Sequence, residues 1–179
     1  MHNDPMKRVH IDQLLAQFRR GFEPFVIVVF KSTHADAWLD ILRATPEVRV
    51  AADSRMIQLD ATALIRVILA HWDTTFVRVL DKRDRGLLYE IRQIRNRWAH
   101  QVPLSDDDVD RLADAVLRLL TSIHAENLHE VQLLRDQLRT QRYAQPKTTR
   151  AWRAVLIWGG SIAALVIVIL AVVWYVTLP

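Results

Sequence analysis

The chain has no cysteine, and only four glycines and six prolines among its 179 residues. Without cysteine there is no disulfide framework, no thiolate nucleophile and no thiolate metal ligand. So few glycines leave few sites for the turns of a sandwich or barrel, which points to helices. They also leave no glycine-rich loop of the kind that cradles a phosphate, which argues against P-loop and Rossmann enzymes. The polar N-terminus lacks the apolar core of a signal peptide. The most informative absence is local: from Ala154 to Pro179 there is no Asp, Glu, Lys, Arg or His.

About 20 apolar residues in a helix span a hydrocarbon core of roughly 30 Å, so Val155 to Leu178 is predicted to be a single transmembrane helix. Trp158 near one end, and Trp174 with Tyr175 near the other, stand where interfacial aromatics belong. Arg135, Arg139, Arg142, Lys147, Arg150 and Arg153 precede the run and no basic residue follows it. The positive-inside rule then keeps the N-terminal part in the cytoplasm, as a tail anchor of the inner or cell membrane. A fully buried core helix is the competing reading, but such helices seldom lack every charge. Gly159 with Ala163, and Gly160 with Ala164, form a small-residue stripe. It suits either close approach of two helices or contact with lipid. Three parts result: a helical domain over 1–143, a basic juxtamembrane linker over 144–153, and the anchor over 154–179.

The remainder reads as an all-α bundle. Gly21 and Pro24 in "FRRGFEPFVIVVF" predict a short helix, a break, and a second helix from about Pro24. A short helix over 35–43 ends before Pro46, and 44–58 is a connecting loop. Leu64, Val67, Ile68, Trp72, Phe76, Val79 and Leu80 recur at three- and four-residue steps, the stripe of one amphipathic helix with Asp60 as its N-cap. Leu88, Ile91, Ile94 and Trp98 form the next stripe, limited by Pro103. Ser105 then N-caps a helix, with Asp108 completing a capping box and Val109, Leu112, Val116, Leu120 and Ile123 facing inward. A last helix, about 128–142, packs through Val131, Leu134 and Leu138.

The chemistry-bearing segment is "EIRQIRNRWAHQVP", residues 90–103. Successive helical residues turn by about 100°, so Arg92, Asn96 and His100 share a face and the long side chain of Arg95 reaches it. Guanidinium matches phosphate oxygens and stabilises a five-coordinate phosphorus. Imidazole titrates near neutral pH and can take a 2′-hydroxyl proton or protonate a leaving oxygen. No metal or other cofactor is called for. From spacing alone, a solvated basic helix end with an incidental histidine is the stronger reading. Between Phe76 and His100, seven basic residues (Arg78, Lys82, Arg83, Arg85, Arg92, Arg95 and Arg97) face three acidic ones (Asp81, Asp84 and Glu90). Such a surface attracts RNA phosphates or anionic lipid headgroups. His71, beside Trp72, reads as a satisfied core residue; His2, His10 and His34 read as surface residues. His124 and His129 straddle a helix junction without forming a metal constellation.

"RNRWAH" resembles the Arg, polar residue, three residues, His motif of the HEPN superfamily. "GFEPFVIVVFKS", "ALIRVILAHWDTTFVRVL" and "LLYEIRQIRNRWAHQVPLSDDDVDRLADAVLRLLTSI" are similar, in order and spacing, to one HEPN subfamily. That subfamily also accompanies a PIN nuclease in a eukaryotic transcript-surveillance protein and recurs in prokaryotic defence proteins. The likeness covers about residues 8–140. It implies a helical bundle that forms a homodimer with two Arg–His sets in one cleft, and in many members a metal-independent endoribonuclease acting as a toxin, defence effector or RNA-processing enzyme. Carried onto this sequence, it makes Arg95, Asn96 and His100 catalytic candidates, with Arg92 and Arg97 placed to bind RNA. The anchor departs from the family pattern.

Two functions follow. One is a membrane-anchored HEPN ribonuclease, a toxin or antiphage or stress effector, held in check or triggered by a protein partner. The other is a non-catalytic, membrane-tethered HEPN dimer that binds a partner or nucleotide. The complete Arg–Asn–His set favours the first; the tether and the lack of a separate substrate domain favour the second.

Overall fold

The computed structural model describes residues 5–46, 48 and 59–144, and every regular element among them is helical. Helix α1 is Pro5–His34, α2 Trp38–Ala44, α3 Ala61–Ala70, α4 Lys82–Ala99, α5 Asp106–Ser122 and α6 Leu128–Ala144. Single 3₁₀ turns, Ala35–Ala37 and Phe76–Arg78, precede α2 and α4. The span predicted at Val155 to Leu178 lies outside the described residues, as do residues 145–153 of its linker and most of the loop expected over 44–58. Among the described residues, no helix is long and apolar enough to cross a membrane.

The longest helix departs most from expectation. Instead of breaking at Gly21 and Pro24, α1 runs unbroken past both. Ile11, Leu14, Leu15, Phe18, Phe22, Val26, Val29 and Phe30 are all buried along one stripe. Proline inside a helix costs about 3 kcal/mol, because it has no N–H to give and its ring crowds the carbonyl four residues back. Burying one large apolar side chain is worth roughly 1.5–3 kcal/mol, so a stripe of eight outweighs one proline. Gly21 serves a close approach. A Cβ there would lie 2.5 Å from Asn127 Oδ1 and from Leu120 Cδ2, so only glycine lets α1 meet α5 and the start of α6.

The stripe expected to run through Leu80 also divides. Helix α3 starts on Asp60, whose Oδ1 accepts from the Ala63 amide at 2.7 Å, but it ends at Ala70. The chain then turns: the Thr75 amide donates to the His71 carbonyl at 2.9 Å and the Val77 amide to the Trp72 carbonyl at 2.8 Å. Trp72, Phe76 and Leu80 still reach the core, while Val79 is left 49% exposed. The turn is tied to the rest by two histidines. His34 Nε2 lies 2.9 Å from Thr75 Oγ1, so His34 is a tie between elements and no plain surface residue. The Thr45 hydroxyl donates to the Ile41 carbonyl at 3.1 Å, so it accepts from His71 Nε2, 3.0 Å away. Phe30 lies against both imidazoles. Burial, and then the neighbouring His34, push the His71 imidazole below its usual value.

The bundle packs α1 against α3 and α5, and α4 against α3 and α5. Among the described residues, that leaves one face of α4 without a helix packed on it. On it Tyr89 is 47% exposed, and a Cβ added at Gly86 would meet nothing within 4 Å.

Candidate functional site on helix α4

Helix α4 is fixed at both ends. At its start Asp81 and Asp84 form a capping box, with Asp84 Oδ2 accepting from the Asp81 amide at 2.9 Å. Leu87, Leu88, Ile91 and Ile94 anchor its inner face in the core. At its end the Gln101 amide donates to the Trp98 carbonyl at 3.0 Å and the Val102 amide to the Arg97 carbonyl at 2.9 Å. This is a Schellman closure, whose left-handed position glycine usually fills. Here Gln101 takes it at φ 58°, and His124 does the same after α5 at φ 52°. His100 is therefore the last residue before the turn, at φ −85°, with an exposed side chain.

The turn from His100 to Ser105 is held by Asp108. Ser105 caps α5, its hydroxyl accepting from the Asp108 amide at 3.1 Å, while Asp108 Oδ2 accepts from the Ser105 amide and hydroxyl, both at 2.8 Å. The other oxygen, Oδ1, accepts from Arg97 at 2.9 Å and from Arg111. Arg97 also donates to the Pro103 carbonyl at 3.1 Å. Asp108 is 3% exposed. Burial alone would raise its pKa, but the Ser105 amide and hydroxyl, then Arg97 and Arg111, outweigh that and hold it at about 2. Arg97, expected to face RNA, thus has its guanidinium committed to the α4–α5 junction, where it positions the end of α4.

The other candidates face outward. Arg95 and Asn96 are half-buried and Arg92 is exposed. All three line a pocket of about 30 Å³ between α3 and α4, completed by Thr62, Ile65 and Arg66. His100 is one turn further on, about 6 Å along the axis from Asn96, and is not among the lining residues. Arg92, Asn96 and His100 are therefore spaced in a row along α4, with Arg95 beside them. The contributions of Thr62 and Arg66 were not foreseen, because pairing of α3 with α4 is a long-range property. Their four-residue spacing on α3 was the signal available. Among the described residues, no group of three or more His, Asp or Glu side chains is arranged to hold a metal.

The chain matches a family model described as Swt1-like HEPN over residues 13–124, which takes in α1 from its third turn through α5 and includes Arg92, Arg95, Asn96 and His100. No curated protein and no solved structure matches it.

Proposed function

The chain belongs to the Swt1-like HEPN family, and from that premise we propose that it is a metal-independent endoribonuclease whose site forms when two copies bring their α4 helices together. The observation that carries this reading is the row of Arg92, Asn96 and His100 with Arg95 beside it, on the α4 face that no other described helix covers. His100 is exposed and is the proton-transfer group: as base it takes the 2′-hydroxyl proton, and as acid it protonates the 5′-oxygen that leaves. One histidine per copy supplies one of these roles, so the dimer supplies both. Arg95 stabilises the extra charge on phosphorus, and Asn96 orients the phosphate through its amide. Exposed Tyr89 and open Gly86 on the same helix give a second copy a surface to approach.

The uncharged run from Ala154 to Pro179, preceded by basic residues, supports a single-pass anchor with this domain on the cytoplasmic side. A membrane-held toxin or defence effector, restrained or triggered by a protein partner, fits that arrangement. Purified full-length protein in a non-ionic detergent tests the reading. RNA should be cut in EDTA to give 2′,3′-cyclic phosphate ends, DNA should be left intact, and folded His100→Ala should be inactive. A folded, dimeric wild type that cuts no RNA would instead establish the non-catalytic binding module.

A further inference from the structure

Helix α1 carries an apolar face that its buried stripe does not use. Gly21, Pro24, Phe25 and Val28 follow one another at three- and four-residue steps, the spacing of one helix face. Val28, at 64%, is the most exposed large hydrophobic side chain among the described residues, and Phe25 is only partly buried. With Ile123 and Ala125, in the turn between α5 and α6, this face forms a groove of about 570 Å³. No residue of α3 or α4 lines it, so it is separate from the site proposed above. On the reading that α4 serves the second copy, we propose that this groove receives an amphipathic helix of a different protein. The helix carries apolar side chains on one face and lysine or arginine beside them.

Shape, charge and rigidity select that occupant. The groove falls in the range of roughly 300–1,000 Å³ that takes a body of several side chains. From Gly21 to Val28 it runs about 10 Å along α1, two helical turns, which matches apolar anchors spaced i, i+3, i+4 and i+7 on a partner helix. Its edge carries the Glu126 and Glu130 carboxylates against one guanidinium, that of Arg20, in a chain whose formal net charge is +4. Arg20 lies 3.8 Å from Glu130 with its own side chain 66% exposed, and Glu126 is exposed with no ion pair among the described residues. Pro24 has no N–H, so the Arg20 carbonyl beside the groove lacks the donor a helix normally supplies. Acceptors therefore predominate, and they suit the N–H donors of a cation. The same carboxylates repel RNA and anionic lipid. The walls are also built in advance. Asn127 Nδ2 donates to the carbonyl and Oε1 of Gln17 at 3.0 and 2.8 Å, which ties the turn to α1. The Ala125 amide closes the end of α5 on the Leu120 carbonyl at 2.9 Å. A preformed groove loses little freedom when a partner binds.

The probe is a fluorescein-labelled helical peptide of about 15 residues, with leucines at i, i+3, i+4 and i+7 and lysines flanking them. A second peptide has glutamates in place of the lysines. Fluorescence anisotropy reads their binding to full-length protein in phosphatidylcholine nanodiscs, with empty nanodiscs as the blank. The lysine peptide should bind about tenfold more tightly than the glutamate peptide. Glu126→Gln should weaken it about threefold, and Arg20→Gln, which removes the competing cation, should tighten it about threefold. Val28→Ser should weaken it about tenfold by removing apolar contact. Asp12→Asn removes an equal charge from an exposed site on α1, two turns before Arg20, and should bind like wild type. Circular dichroism establishes that each variant is folded. Equal binding of the two peptides, equal losses in Glu126→Gln and Asp12→Asn, or unchanged binding in Val28→Ser would overturn the groove. Absence of binding to wild type would overturn it too. If binding then appeared once Lys147, Arg150 and Arg153 were changed to Gln, the groove would belong to this chain's own basic segment. Binding that dissociates the dimer would assign it to a second copy instead. None of these readouts involves RNA. A monomeric protein that binds the lysine peptide through Val28 and Glu126 would refute the α4 dimer and leave the groove standing.

Discussion

Replacing Asp108 by Asn probes how the end of α4 is held in place. The carboxylate accepts from the Ser105 amide and hydroxyl and from Arg97 and Arg111, and these bonds hold its pKa at about 2 against an ordinary 3.8. At 1.36 kcal/mol per pKa unit, that gap corresponds to roughly 2 kcal/mol of stability. Because the folded value is the lower one, this stability is fully present above about pH 4–5 and is lost as the pH falls towards 2. The variant should be less stable than wild type by about 2 kcal/mol at pH 7, a shift of about 1 M in the urea midpoint. It should also lack the wild-type loss of stability between pH 5 and pH 2 that Asp108 contributes. His71, whose lowered pKa acts at higher pH, is common to both proteins and cancels in the comparison. Urea titrations followed by circular dichroism at pH 7, 5, 4 and 3 measure both effects. A variant within about 0.5 kcal/mol of wild type at pH 7, or with the same acid limb, would refute the assignment. Losing the Arg97 tie should also let the His100 turn move, so RNA cleavage should fall even where the variant is fully folded.

Other positions give independent expectations. Gly21→Ala gains about 1 kcal/mol of helix propensity but places a methyl 2.5 Å from Asn127 Oδ1 and Leu120 Cδ2. Asn127 is held through Nδ2 by Gln17 and Leu120 is fully buried. Overpacking of about 1–3 kcal/mol should therefore win, giving a net loss in urea denaturation. Gly86→Ala separates monomer from dimer: the open position should gain about 1 kcal/mol in the monomer, while cross-linking between copies should decrease if the helices meet there. Gln101→Gly relieves the left-handed φ of 58° and should stabilise by up to about 1 kcal/mol, read from the same urea curves.

Periodicity and capping residues identified the helix content, the Asp60 and Ser105 caps and the inward face of α5, because each is a local property. The errors came where tertiary contact outweighs a local signal. Gly21 and Pro24 are breakers by propensity, yet the eight-residue buried stripe carries α1 through both. The apolar spacing from Leu64 to Leu80 continues across a turn, because Trp72 in the turn and Phe76 in the 3₁₀ segment reach the core as well as they would from a helix. Arg97 lies on a different face of α4 from Arg92 and meets Asp108, which was legible as a cap but not as its partner. The closure after α4 was hidden too, since Gln101 occupies the position where glycine would have announced it.

Cleavage of RNA by the purified full-length protein in EDTA, compared with His100→Ala and Arg95→Lys, tests the α4 site most directly. Wild type should give 2′,3′-cyclic phosphate products, and His100→Ala should lose about 10²–10⁴-fold in activity. Arg95→Lys, which keeps the charge but loses the fork, should also be substantially impaired, with all three proteins equally folded. Cleavage that requires a metal ion, or full activity in folded His100→Ala, would contradict this role for the site.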